Sequence, residues 1–237
     1  MNHSIDIQLG IIWYLIFLLS ITAHEAAHAL ASWKMGDTTA WRSGQATLNP
    51  IPHIQREPFG MVIVPILSYA YGGWMIGWAS TPYDPAWAEH YPKRAALMGL
   101  AGPAANLMLV LIGGILIRAG MAAGIFAAPE KILFTQVVTG GREGVLQGLA
   151  AAVSILFTLN LLLLVFNLIP IPPLDGTSWV ELILSGRPLE QYRAIVSHSS
   201  LRISGILIAW YLMGLIFPPV HLAVINALYL GTGRLYG

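Results

Sequence analysis

Two histidines four residues apart, with a glutamate beside the first, are the side chains of this sequence best suited to chemistry: His24-Glu25-Ala26-Ala27-His28. They lie inside an apolar run from Leu9 to Trp33. In a helix, a spacing of four places both imidazoles on one face about one turn apart, near enough to grip a single zinc ion. Glu25 points off that face, where it can accept a proton from water activated by the ion without being a ligand. Ionisable groups are costly in a helix of bilayer length, by about 2.5 to 3.5 kcal/mol for a charge at its centre. Metal binding offsets that cost; the alternative is three polar residues packed against other helices with their hydrogen bonds satisfied.

A catalytic zinc takes three protein ligands and keeps one position for water. The chain has no Cys, which removes thiolate ligands, disulfides and a cysteine nucleophile, so the third ligand must be His, Asp or Glu. Asp175 is the best candidate. It follows the proline-rich stretch Asn167-Leu168-Ile169-Pro170-Ile171-Pro172-Pro173-Leu174 and precedes Gly176, where backbone can approach closely. Its alternative role is the N-cap of a helix beginning at Thr177.

The elements that must position these groups belong to a membrane. The 237 residues are 56% hydrophobic and 10% charged, with mean hydropathy +0.68, outside soluble usage. Twelve basic against 11 acidic residues give net charge +1 and no basic face for nucleic acid. Residues 1 to 8 carry no Lys or Arg, which argues against a cleaved leader and keeps the first span in the mature protein. No polar interval is long enough for a soluble sensor domain, so one intramembrane domain over 1–237 is expected.

In order, Leu9 to Trp33 can span a bilayer. Residues 37 to 58 are turn-rich, and Ala40-Trp41-Arg42 with Gln45-Ala46-Thr47-Leu48 predict a small β-hairpin hinged at Ser43-Gly44. Phe59 to Ala79, interrupted by Pro65 and Gly72-Gly73, is either a full span or a half-membrane helix returning through Gly77 to Ser80. Ala95 to Ile117 is a span whose Gly99, Gly102, Ala104 and Ala105 allow close helix approach, and the connector from Arg118 to Gly148 has an apolar centre, 132–138, suited to lying along the interface. Leu149 to Ile169 spans again, 181–200 is a polar link, and Leu201 to Phe217 with Val220 to Leu230 form one or two terminal spans split by Pro218-Pro219. The predicted fold is an all-α polytopic membrane protein of about five to six transmembrane or re-entrant helices, with the hairpin near the site. His24 and His28 sit late in the first span and Asp175 just past the Leu149 to Ile169 span. For all three to meet, those helices must run in the same direction, which favours a re-entrant Phe59 to Ala79.

These pieces together resemble the site-2 proteases, zinc metalloproteases that cut substrates within or near the bilayer. The resemblance is carried by His24-Glu25-Ala26-Ala27-His28, the Leu48-Asn49-Pro50 to His53-Ile54 loop, Gly102-Pro103-Ala104-Ala105-Asn106 and Asn167 through Gly176, in the family's order. The pattern is that of the compact branch without PDZ or CBS domains, with His53-Ile54-Gln55-Arg56-Glu57-Pro58 where that branch usually reads His-Ile-Asp-Pro. The resemblance implies one Zn2+ on His24, His28 and Asp175, Glu25 as general base, and Asn167 near the metal, where its amide could hold a carbonyl or developing oxyanion. It also implies a multi-pass protein of a prokaryotic cell membrane, with the lipid bilayer around it and a transmembrane protein or peptide as substrate. An added strand along the 40–48 hairpin or Gly77 to Ser80 would hold that substrate extended. His53 is expected to cap or pack its loop. A silent scaffold for partner helices, or a metal-ion transporter that would tolerate loss of Glu25, are the alternatives from other classes.

Overall fold

The structure, a computed structural model, describes residues 5–141 and 144–237. Its first element, α1 (Ile7–Lys34), starts where Asp6 accepts a hydrogen bond from the Leu9 N–H at 2.9 Å. It ends at Met35, beyond which Asp37 receives the backbone N–H and hydroxyl of Thr39 and the N–H of Asp84. Those bonds start α2 (Thr39–Arg42), a single helical turn, in place of the predicted hairpin. Trp41 stacks on Trp33 of α1 at 6.0 Å, and the Gln45 N–H closes the turn on the Ala40 carbonyl. A lone two-stranded hairpin has too little buried face to hold itself together. The local bonds of the turn win, and no β-strand longer than an isolated bridge occurs among the described residues.

Asn49 caps α3 (Pro50–Arg56), whose His53 is buried, with its Nε2–H donating to the Thr47 carbonyl at 3.1 Å, the packing role expected of it. A π-turn over Phe59–Ile63 leads into α4 (Val64–Gly72). Together they are too short, at about 1.5 Å per residue, to cross a hydrocarbon core of about 30 Å. Gly73, at φ 73°, ends the helix, and the chain returns extended. The Trp78 N–H reaches the Gly60 carbonyl at 3.2 Å, so the far end of the segment lies beside its start. Only glycine permits that approach, because a Cβ at Gly60 would stand 2.2 Å from the Trp78 carbonyl oxygen. Phe59 to Ala79 is thus a re-entrant element.

After α5 (Pro85–His90) come α6 (Pro92–Ala122) and α7 (Val145–Asn167), which pack on each other and on α1. At Gly113 the two backbones come so close that a Cβ would touch the Phe157 Cα at 3.2 Å. The connector between them does not lie along the interface as predicted. Val137 and Val138 are fully buried between α6 and α7, their N–H groups donating to Ser154 Oγ at 2.9 and 3.2 Å. A hydrogen-bonding serine inside α7 lets an apolar loop bury its backbone polar groups along with its side chains.

Beyond the prolines the polar link is in fact helical, as α8 (Thr177–Ile183) and α9 (Arg187–Val196). The terminal spans merge into a single α10 (Leu201–Leu228) with Pro218 and Pro219 inside it. Its Tyr229 end joins the same buried cluster as Val137 and donates to the Val137 carbonyl at 2.6 Å. Among the described residues, four helices are long and apolar enough to cross a membrane: α1, α6, α7 and Ser204–Leu228 of α10. Counted as successive crossings, α1 and α7 run in the same direction, which brings the end of one beside the end of the other.

Candidate active site

His24 and His28 stand one turn apart on the buried face of α1, with Nε2 atoms 3.0 Å apart. Asp175 enters from beyond α7, placing Oδ2 2.9 Å from His24 Nε2 and 3.3 Å from His28 Nε2. The carboxylate is not a helix cap: α8 follows Gly176 and has no side-chain cap. Asp175 Oδ2 is buried without a hydrogen bond. The turn that delivers it needs Gly176, where a Cβ would stand 2.2 Å from the Ile169 carbonyl oxygen.

Hydrogen bonds behind the imidazoles set what they offer in front. His28 Nδ1 lies 2.8 Å from the Met98 carbonyl, which can only accept, so Nδ1 carries the proton. For His24 the polarity is set two hydrogen bonds away, at Asn160. Asn160 Nδ2 donates to the Leu156 carbonyl at 2.8 Å and to Ser20 Oγ at 2.9 Å, so its Oδ1 must face Asn106. Asn106 then gives its Nδ2–H to that oxygen at 2.9 Å, leaving its own Oδ1 to accept from His24 Nδ1–H at 2.6 Å. Both histidines thereby turn an Nε2 lone pair toward the same point as the Asp175 oxygen. Three electron-rich atoms converge, and a cation is what holds such a group together. Two imidazoles and one carboxylate fit zinc, with one coordination position left over.

Gly102 of α6 faces this point. A Cβ there would meet His28 Nε2 at 2.3 Å and His24 Nε2 at 2.5 Å, so the space between the ligands exists only because residue 102 has no side chain.

Glu25, buried beside His24, has its Oε2 held by the Thr81 hydroxyl at 2.7 Å. Two cavities meet at Glu25 and Asp175. One, of about 740 Å3, is a cleft whose walls include Thr81, Tyr83, Glu89, Ser178 and Glu181. The other, of about 720 Å3, is mostly apolar, lined by Phe17, Ile21, Trp74, Leu159 and Trp210 together with Asn167. Asn167, the last residue of α7, thus borders the space that holds His24, Glu25 and Asp175, and its amide is committed to none of the described residues. The cleft is walled by α9, which is anchored at two points: an ion pair of Arg193 with Glu181, and the Tyr192 hydroxyl on the Pro170 carbonyl at 3.2 Å. Burial and the Glu181 carboxylate push the Tyr192 hydroxyl up to about 12.

Sequence reasoning singled out His24, Glu25, His28, Asp175 and Asn167, and each lines one or both of the two cavities that meet at Glu25 and Asp175. It named Asn106 only as a motif member and Gly102 only as that and as a small residue for close helix approach, and it missed Asn160, Ser20 and Thr81. An Asn in an apolar helix was the available signal for Asn160, because a buried amide must find partners. Nothing along the chain marks Thr81.

The family model described as Peptidase family M50 matches residues 12–212. YwhC of Bacillus subtilis (strain 168), whose name assigns it to the zinc metalloproteases, is 34% identical over 184 residues, covering 76% of this chain and 74% of its own. Rip2 of Mycobacterium tuberculosis (strain H37Rv) and Rip2 of Mycolicibacterium smegmatis, named likewise, are 32% and 30% identical over 165 residues. These cover 70% of this chain and 54% of each Rip2. No solved structure gives a significant match.

Proposed function

The chain belongs to peptidase family M50, the site-2 proteases, and from that premise we propose that it is a multi-pass protein of a prokaryotic cell membrane that hydrolyses peptide bonds of transmembrane substrates. It is a membrane protein and a zinc-dependent metallopeptidase. The finer reading is carried by one observation: the Nε2 atoms of His24 and His28 and Oδ2 of Asp175 converge beside Glu25, where a polar cleft meets an apolar cavity.

In this reading His24, His28 and Asp175 hold the zinc. When bound, zinc supplies a Lewis acid that polarises the scissile carbonyl and makes water acidic near pH 7. Glu25 takes the proton as water attacks and returns it to the leaving amine. Asn167 donates an amide N–H to the carbonyl oxygen as negative charge develops there. The substrate reaches the site from the apolar cavity, while water enters and products leave by the cleft. A helical substrate must be unwound, because its carbonyls are engaged in their own hydrogen bonds. The extended Gly77 to Ser80 segment is suited to pairing with the unwound backbone. It borders both cavities, and the backbone groups of Ala79 and Ser80 make no hydrogen bond with the described residues. The packing of α1, α6 and α7 around a single site supports reading 1–237 as one domain.

Glu25→Gln tests the assignment. The variant, reconstituted in lipid with a transmembrane peptide, is expected to keep one zinc per chain and lose cleavage, and chelation of the wild type is expected to abolish cleavage until zinc is restored. Full turnover by Glu25→Gln would overturn the base.

A further inference from the structure

The chain returning from the re-entrant element places two consecutive hydroxyl side chains between the cavities. Ser80 turns to α3: its Oγ donates to Glu57 Oε1 at 2.5 Å and accepts from Arg56 Nε at 3.3 Å. Thr81 turns to α1, with Oγ1 2.7 Å from Glu25 Oε2 and 2.9 Å from the Glu25 carbonyl. A hydroxyl has one proton, and of two acceptors the ionised carboxylate binds it more strongly. The other carboxylate oxygen of Glu25, Oε1, accepts no hydrogen bond from any described residue. Thr81 therefore divides the carboxylate into one held oxygen and one free oxygen.

Local sequence makes Thr81 a stiff support. Pro82 follows it, and a residue before proline is driven into extended backbone. Its own β-branching narrows χ1. Upstream, the segment is tied down by the Trp78 N–H on Gly60 and by Ser80 on Glu57. The Oγ1 position is thus set by the backbone of the extended segment and a narrowed χ1, not by a free rotamer. The bond to Glu25 connects the extended segment bordering both cavities to the carboxylate beside the metal point that is not aimed at it.

We propose that Thr81 is a positioning residue for Glu25. It locks the carboxylate rotamer so that the free oxygen faces the attacking water, and it ties the alignment of the base to the segment along which the substrate backbone lies. This rests on the reading of Glu25 as general base. A loosened Glu25 still has its charge and leaves the zinc ligands untouched, so the cost of losing the Thr81 hydroxyl falls on turnover and not on metal or substrate binding. A displacement of about 1 Å in a reacting group can lower rate by about 100-fold.

The test compares zinc-loaded wild type, Thr81→Val, Thr81→Ser and Glu25→Gln, reconstituted in lipid with one transmembrane peptide. Thr81→Val, the same shape without a donor, is expected to keep one zinc, melt no more than about 10 °C below wild type, hold KM within about twofold, and lower kcat by about 10- to 100-fold. Thr81→Ser is expected to restore kcat to within about threefold, because the donor returns. If Thr81→Val does not fold, Thr81→Cys replaces it: Cys and Ser differ at one atom and in donor strength, and only Ser should keep kcat. Activity in Glu25→Gln defeats the general-base reading whatever Thr81 does. With Glu25→Gln inactive, three results overturn the role of Thr81: wild-type kcat in Thr81→Val or in the Thr81→Cys that replaces it, a defect confined to KM or to zinc content, or no rescue by Ser.

Discussion

Replacing Gly102 with alanine should remove zinc while leaving the fold standing. The added methyl would lie 2.3 Å from His28 Nε2, 2.5 Å from His24 Nε2 and 2.6 Å from His24 Cε1. Zinc sits about 2.0 to 2.1 Å from an imidazole nitrogen, so methyl and ion compete for the same space. Relief requires each ring to retreat by roughly 1 Å to reach ordinary contact near 3.5 Å. That retreat disturbs the 2.6 Å bond of His24 to Asn106 and the 2.8 Å bond of His28 to Met98. Disturbing one such supporting bond weakens metal binding by about 10- to 100-fold, so two together predict roughly 100- to 10,000-fold, or about 3 to 5.5 kcal/mol. The zinc-free fold should lose much less: overpacking costs about 1 to 3 kcal/mol, and alanine regains up to about 1 kcal/mol of helix propensity. Zinc affinity by chelator competition and melting with and without zinc separate the two effects. Gly114→Ala on the same helix is the control, because its methyl meets nothing nearer than 3.5 Å. Zinc binding by Gly102→Ala within about threefold of wild type would refute the assignment of this space to the metal.

Asn106→Leu removes the acceptor for His24 Nδ1–H and should weaken zinc by about 10- to 100-fold in the same competition assay; unchanged affinity would disconnect the asparagine chain from the metal. Asp37 offers a pH test outside the spans. Burial works against its carboxylate, but hydrogen bonds from Thr39 and Asp84 outweigh that and hold it below the usual carboxylate range. Its stabilisation is therefore complete above the unfolded value of about 3.9 and is lost as pH falls through the lower folded value. The melting-temperature gap between wild type and Asp37→Asn should stay constant from pH 7 to about 5 and close below about 4; a gap that widens in acid would reverse the sign.

Where contacts are local, periodicity along the chain sufficed. Helical period alone put His24 and His28 on one face, and apolar run length alone marked the Leu9 to Trp33, Ala95 to Ile117 and Leu149 to Ile169 spans. Three prolines before Asp175 foretold a broken helix end where a carboxylate could turn inward. Periodicity failed where a short segment had to choose its partner. Residues 40–48 alternate like strands but lack a sheet to join, so the Asp37 and Trp33 contacts decided for a turn. Val137 and Val138 read as interfacial until Ser154, 17 and 16 residues away, offered their backbone a partner inside the bundle.

Composition and spacing thus determined the membrane setting, the helical pair of imidazoles with its glutamate, and the carboxylate that could complete them. Tertiary structure alone decided how that chemistry is aimed: the tautomer of His24 through Asn106 and Asn160, the hold of Thr81 on Glu25, and the space kept open by Gly102. Those partners lie 82, 54 and 56 residues apart along the chain for His24–Asn106, Asn106–Asn160 and Glu25–Thr81. A hydrogen bond depends on distance and direction in space, and no period of the backbone encodes either across such separations.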